Sequence, residues 1–414
     1  MTATKKLRIL YISHYFPPEV NAPAVRVSQF SRIWKEMGHT VTVATGFPNH
    51  PHGVIPPEYR GKIFDTENHD GVKVLRSYVY AAPNKGFVKR ILNFLSFMLS
   101  AIVSCIFRSG KQDIVIATSP QFFVAVAGYV VSLFKRAPFI FEVRDVWPEE
   151  IVAVGAMKRG IVIKILEKIE MFLYRRAAMI VAVAQGTVDI LTQRGIPADK
   201  IVLVPNGVDF ERFSQAVDDH EVRDQHDLNG HFLVSYIGTH GMAHNLGTVI
   251  GAANRLRARD DIRFLFVGDG ADKEHLVSTS NDLKLDNVTF VPQQDRNRIA
   301  KYYAASDLCL VPLRKADLFT KNIPSKIYEV MASGKPMLIG AKGESKNLVE
   351  KAHAGIAVEP DNDLDLSEKI ALMADDRKLA QRLGENGRDF ARKNCSHQDL
   401  AVRYLSHLND CLTT

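Results

Sequence analysis

Short runs of Val, Ile and Leu alternate with segments of helical period from one end of the 414-residue chain to the other, and this alternation restricts the fold more than any other feature. Candidate strands in the first half are Leu7–Ser13, Thr40–Thr45, Val72–Ser77, Asp113–Thr118, Pro138–Val143, Met179–Val183 and Ile201–Val204. Those in the second half are Phe232–Ile237, Ile262–Val267, Val288–Val291, Leu308–Val311, Pro336–Ile339 and Ile356–Val358. Strands that do not alternate with polar residues and are separated by helices predict parallel sheets covered on both faces. Two such series predict an α/β chain of two doubly wound, Rossmann-like domains. The expected division is residues 1–204, residues 205–395, and a last helical segment, 396–414, that packs back on the first domain. Pro205-Asn206-Gly207-Val208-Asp209 supplies turn residues for the join. Ligands of open α/β sheets bind beyond the carboxyl ends of the strands, so a cleft between two such domains is the expected site.

Charge divides along the same line. Residues 1–196 hold 25 Lys and Arg against 14 Asp and Glu, whereas residues 197–414 hold 28 against 32. The basic half has no helix-turn-helix, zinc-finger or RNP-like pattern, which argues against nucleic acid and leaves an anionic lipid surface as the expected partner. Cys105, Cys309, Cys395 and Cys411 are too scattered for a disulfide framework or a CxxC site. His50 and His52, one residue apart in a proline-rich loop without a neighbouring cysteine or carboxylate, make a poor metal ligand set. The charged lead Met1–Arg8 runs straight into a strand, so no signal peptide is expected.

Phe87–Arg108 breaks the pattern. It is apolar almost throughout, with Asn93, Ser96, Ser100 and Ser104 on a narrow stripe. It is marginal for crossing a bilayer and better suited to lying in the interface. Phe94, Phe97 and Met98 are then expected among acyl chains and Lys89 and Arg90 at headgroups; a helix buried against the sheet is the alternative.

The segment Pro324–Pro336 carries the chemistry. Pro324 suits a first helical turn, Ser325 a cap, and Gly334 with Pro336 a stop. Lys326 and Glu329 share a face near the helix start, where free amides and the dipole favour an anion. A diphosphate beside Lys326 and a ribose diol on Glu329 would fit; an ordinary surface Lys–Glu pair has the same spacing. Gly238-Thr239-His240-Gly241, between a strand and a helix, is a second candidate phosphate loop. Gly268-Asp269-Gly270 lacks the third glycine of a dinucleotide fingerprint, which argues against a dehydrogenase.

Read together, several motifs resemble those of the family 4 glycosyltransferases of GT-B fold, in the subgroup of WbuB-type L-fucosamine (N-acetyl-L-fucosamine) transferases of O-antigen assembly. They are Tyr15-Phe16-Pro17-Pro18-Glu19, Asn21 to Arg26, Gly46 to Pro51, Pro56 to Gly61, Arg144-Asp145-Val146-Trp147-Pro148-Glu149, Pro205 to Asp209 and the Pro-Ser-Lys helix start. The resemblance implies a retaining transfer, without metal or other cofactor, from a UDP-sugar to a polyprenyl-diphosphate-linked sugar, by a cytoplasmic enzyme held peripherally at the inner membrane. Asp145 and Arg144, expected at the carboxyl edge after Pro138–Val143 where many members of the family carry a histidine, and Lys326 are the candidates for catalysis; a structural Arg–Asp pair behind the sheet is the alternative. Glu329, Lys326, Ser325, Gly238, Thr239, His240, Gly241, Asn21 and Arg26 are assigned to the nucleotide sugar, with a plain capped helix start as the alternative reading of Asn21. The family's paired glutamates lie eight apart, and Lys321 stands where the first is expected. The usual Arg and Lys of the phosphate loop are also missing, which moves neutralisation toward Lys326, with Lys321 as a helper. A UDP-sugar 2-epimerase and a non-catalytic nucleotide-sugar or lipid-binding protein are the competing functions.

Overall fold

The computed structural model describes residues 6–19, 21–50, 53–82, 87–146, 160–214, 220–315, 320 and 323–413. The chain forms two compact units, Met1–Pro205 with His397–Thr414, and Asn206–Ser396.

The first unit is built on strands β1 (Arg8–Ile12), β2 (Thr40–Gly46), β3 (Phe64–His69), β4 (Val72–Ser77), β5 (Ile114–Thr118), β6 (Phe139–Val143), β7 (Met179–Ala182) and β8 (Ile201–Leu203). They lie in the order β3-β4-β2-β1-β5-β6-β7-β8, all parallel except β3. Alternation along β1 feeds two cores: Ile9 and Tyr11 meet Phe30 and Trp34, while Leu10 and Ile12 join the layer containing Phe97 and Phe122. The helix His397–Thr413 belongs to this unit. Its Leu400, Tyr404 and Leu408 enter the first of those layers, and Trp34 donates its indole N–H to the Ala401 carbonyl at 2.9 Å.

The second unit has β9 (Phe232–Ile237), β10 (Ile262–Val267), β11 (Val288–Val291), β12 (Leu308–Pro312), β13 (Met337–Gly340) and β14 (Gly355–Ala357), all parallel, in the order β11-β10-β9-β12-β13-β14. Both units are therefore doubly wound α/β sheets, as the sequence predicts. The strand order reverses at β1, between β2 and β5, and at β9, between β10 and β12. Loops leaving the carboxyl ends of those strands are where such folds hold ligands.

The sequence reading omits β3. This strand is an edge of mostly polar residues, held by pairing rather than propensity: Arg76 bonds Glu67 through Nε at 2.7 Å, and Tyr59 reaches the same carboxylate at 3.0 Å. The Asp70-Gly71 turn, with both φ positive, closes a two-residue hairpin to β4 and is the signal that marks it.

Candidate active site

In the second unit the loop after β9 meets the start of the helix Lys326–Ala332. Gly238 sits at φ +142, and a Cβ there would lie 2.7 Å from Lys326 Nζ, so only glycine lets this amine approach the loop. The Nζ lies 3.9 Å from the centroid of the Tyr236 ring and has no hydrogen-bond partner in the protein although it is buried. Burial pushes its pKa down to about 7, against the pull of Glu329. Tyr236 is pinned by a 2.7 Å bond from its hydroxyl to the Thr239 carbonyl. His240 is wholly buried with both ring nitrogens unpartnered, and burial with Lys273 nearby lowers it to about 4. His244 falls to about 4 through burial and the neighbouring Lys326. Three nitrogen bases thus gather around the Tyr236 ring, Lys326 Nζ at 3.9 Å and the rings of His240 and His244 each at 5.8 Å from its centroid. A buried cation so placed is costly until an anion joins it.

The second glycine loop explains how this one is held. A Cβ on Gly268 would fall 2.0 Å from the Gly238 carbonyl oxygen, His240 N–H donates to Asp269 O at 2.8 Å, and Lys273 Nζ bonds the Gly268 carbonyl at 2.8 Å. Gly268-Asp269-Gly270 is therefore a packing partner of the loop Gly238–Gly241. Glu329 accepts a 3.0 Å bond from the buried Tyr303 hydroxyl, which fixes one carboxylate oxygen. Ser325 departs from expectation. Its backbone is already helical (φ −59, ψ −28) and its hydroxyl caps no amide, because a side chain reaches over the first turn only from the extended conformation.

In the first unit, Ser119 Oγ, just after β5, accepts the amides of Arg144 at 2.8 Å and Asp145 at 3.3 Å, just after β6. Both residues therefore sit at the carboxyl edge of the sheet. Arg144 is buried, its Nη1 has no protein partner, and burial together with Arg26 lowers its pKa despite Glu142 and Asp145. In the same unit, Glu19 is buried and accepts the amides of Asn49 and His50 at 3.1 and 2.9 Å, and burial raises its pKa.

The other first-unit residues assigned to the nucleotide are occupied structurally. Asn21 Oδ1 accepts from Ala24 N at 3.0 Å and caps the helix Ala22–Glu36. Arg26 is turned into the core: its Nε meets Glu142 at 3.1 Å, and its two Nη atoms bond the Pro205 and Val204 carbonyls at 2.6 and 2.9 Å. A guanidinium so engaged has nothing left for phosphate. Phe94 and Phe97 are also core residues, packed on His14 with ring centroids 5.8 and 4.7 Å away, and Met98 is half-buried. Lys89 and Arg90 are exposed. Lys321, His52 and Trp147–Glu149 lie outside the described residues. Among the described residues, no group of three or more His, Cys, Asp or Glu is arranged to hold a metal.

Sequence reasoning missed Tyr236, Tyr303, Glu19 and Ser119. Each acts through a contact distant in the chain; only Tyr236, on the inward face of a strand leading into a glycine loop, carries a local hint.

Comparison with known proteins fits this geometry. The Glycosyl transferase 4-like domain matches residues 21–207, and the Glycosyl transferases group 1 domain matches residues 218–390. The chain is 26% identical over 216 residues to the D-inositol 3-phosphate glycosyltransferase of Nocardia farcinica, covering 50% of this chain and 47% of that protein, about half its length. It is 23% identical over 355 residues to the GDP-mannose-dependent alpha-mannosyltransferase of Mycolicibacterium smegmatis, covering 86% and 85%. Its fold is similar to that of Anabaena Alr3699/HepE, crystallised with UDP-glucose, with a TM-score of 0.73, 15% identity, and 98% and 100% of the two chains covered. The chain belongs to the GT-B glycosyltransferases, one domain of the family on each sheet.

Proposed function

We propose that this protein moves a sugar from UDP to a lipid-linked diphosphate sugar, with retention at the anomeric carbon and without a metal, in the assembly of a cell-surface polysaccharide. A 2-acetamido-deoxyhexose such as N-acetyl-L-fucosamine is the donor sugar we favour, on the resemblance of its motifs. The observation that carries the reading is Lys326, a buried amine with no protein partner held against Tyr236 and Gly238 at the reversal of the strand order. When the bond between the anomeric carbon and the β-phosphate oxygen breaks, the electron pair stays on UDP, and a preorganised cation there stabilises the growing charge. Glu329, oriented by Tyr303, suits the ribose diol. The UDP-glucose held by Anabaena HepE supports a uridine nucleotide.

The deciding experiment is a screen of UDP-sugars for UDP release with and without a polyprenyl-diphosphate-linked sugar. Release that requires the acceptor is expected. Release from donor alone would favour the epimerase, and tight UDP binding with no turnover a binding protein. Asp145→Asn is expected to lower transfer at least ~100-fold with UDP affinity near wild type, since the carboxylate would position the acceptor hydroxyl or stabilise cationic character at the sugar. Wild-type turnover in that variant removes Asp145 from the mechanism. Activity is also expected to survive excess EDTA; loss restored by a divalent ion would mean that a metal, not Lys326, neutralises the diphosphate.

A further inference from the structure

The long helix Phe87–Arg108 is inside out for a surface helix, whose polar side ordinarily faces water. Its polar stripe is turned toward the protein. Asn93 Nδ2 donates to Asn49 Oδ1 at 3.1 Å and to the Tyr80 carbonyl at 2.9 Å, Ser96 Oγ accepts from Tyr80 N at 2.8 Å, Ser100 Oγ donates to the Tyr78 carbonyl at 2.6 Å, and Ser104 is wholly buried. The outward side is Leu92, Leu99, Val103 and Phe107, with Leu99 60% and Phe107 81% exposed.

Two more helices extend this face. Phe122–Lys135 packs beside it, Lys135 Nζ bonding the Ile106 carbonyl at 2.8 Å, and exposes Leu133 and Phe134. Ile161–Arg176 follows, joined by a ring contact of Phe172 with Tyr129 at 5.3 Å. It exposes Ile161, Ile165, Ile169 and Phe172, an i, i+4, i+8, i+11 stripe, with Val162 beside it. Exposed Tyr78 and Tyr80 flank the first helix, as amphipathic rings do at a membrane interface. An apolar surface on three neighbouring helices exceeds the scattered apolar residues of an ordinary surface.

We propose that this three-helix face of the first unit lies in plane on an anionic lipid bilayer. The three helices carry eight Lys and Arg against two Glu, one of which, Glu170, is buried. That excess matches anionic headgroups. It disfavours a second copy, because a two-fold interface would set the same basic side chains against themselves. A spanning orientation is disfavoured by the Asn and Ser bonds, which tie the helix to the loops after β2 and β4. The inward side of the same helix supplies Asn93, Phe94 and Phe97 to His14 and Asn49, at the carboxyl edge of the sheet. Docking would therefore set the carboxyl-edge loops at headgroup level. The proposal goes beyond sugar transfer, since vesicle binding requires neither donor nor acceptor.

The test is co-sedimentation of the full chain with vesicles of phosphatidylcholine alone or mixed with phosphatidylglycerol. The wild type is expected to pellet with the anionic mixture and to be partly released by salt, because headgroup attraction is screened whereas apolar insertion is not. Leu99→Ser with Phe107→Ser, and separately Ile161→Ser with Ile165→Ser, should each lower partitioning about 10-fold or more at an unchanged melting temperature and UDP affinity. Lys164→Glu with Lys168→Glu, at two exposed positions, should remove most of the preference for anionic vesicles. A wild type that stays in the supernatant overturns the proposal. So does full binding by the Ile161 and Ile165 variant, or a wild-type dimer that the Leu99 and Phe107 variant converts to monomer.

Discussion

Lys326→Ala is expected to lower kcat by about 100-fold or more while weakening UDP binding less. The amine faces the leaving diphosphate, whose charge is greatest in the transition state, and removing one preorganised donor of this kind costs two to three orders of magnitude. Unchanged kinetics would dismiss the site. Burial holds the amine near pKa 7, well below its unfolded value, so from about pH 7 to 10 the folded chain binds fewer protons there than the unfolded chain. Stability therefore rises with pH across that window, and below it the penalty of a buried cation is fully present. Lys326→Met should accordingly raise the melting temperature near pH 7 even as it abolishes transfer. A bound diphosphate pulls the amine's pKa up, so UDP affinity should fall above pH 7, by up to about tenfold per unit, with a proton taken up on binding. Calorimetry in buffers of different ionisation enthalpy reads that proton, and Lys326→Ala should remove it. Glu329→Gln gives the complementary result: weaker UDP binding, because an amide is the poorer acceptor for two hydroxyls, with little effect on kcat.

The clamp was legible because it is local. Lys326 and Glu329 are three residues apart on a helix whose ends are marked by Pro324 and Gly334, and the glycine loop follows a plain strand. The strands were legible for a related reason: a buried parallel strand is an unbroken apolar run, and only the polar edge β3 escapes that rule. Contacts across the fold were not. Tyr236 lies 90 positions before Lys326, and the ring face under the amine follows from strand and helix packing, which no window of sequence contains. The helix Phe87–Arg108 shows a different limit. Periodicity finds its polar stripe, but when nearly every other position is apolar it cannot say whether that stripe or its opposite meets the sheet. The structure resolves this by hydrogen bonds: Ser100 and Asn93 donate to the Tyr78 and Tyr80 carbonyls after β4. Phe94 and Phe97 consequently go inward, while Leu99 and Phe107 go outward.

Arg26→Ala should destabilise rather than disarm the enzyme. From sequence, an arginine in the first helix after β1 suits an anion, and its partner Glu142 is 116 residues away. In the fold the pair is sealed, with side chains 2% and 0% exposed, and Glu142 also receives the hydroxyls of Tyr11 at 2.9 Å and Thr118 at 2.7 Å. Removing the guanidinium leaves a buried carboxylate with two neutral donors, and strands the Val204 and Pro205 carbonyls that Arg26 also satisfies. Breaking a buried pair from one side costs roughly 3–5 kcal/mol, a large part of a total stability of roughly 5–15 kcal/mol. At roughly 2–4 °C per kcal/mol for a unit of this size, the melting temperature should drop by about 6–20 °C. UDP affinity, measured well below the transition, should not change. Arg26→Met combined with Glu142→Gln should recover part of the loss, because the two charges of the pair are then removed together, and the double-mutant cycle should show strong coupling. A melting temperature unchanged by Arg26→Ala, with UDP affinity lost, would return Arg26 to the nucleotide.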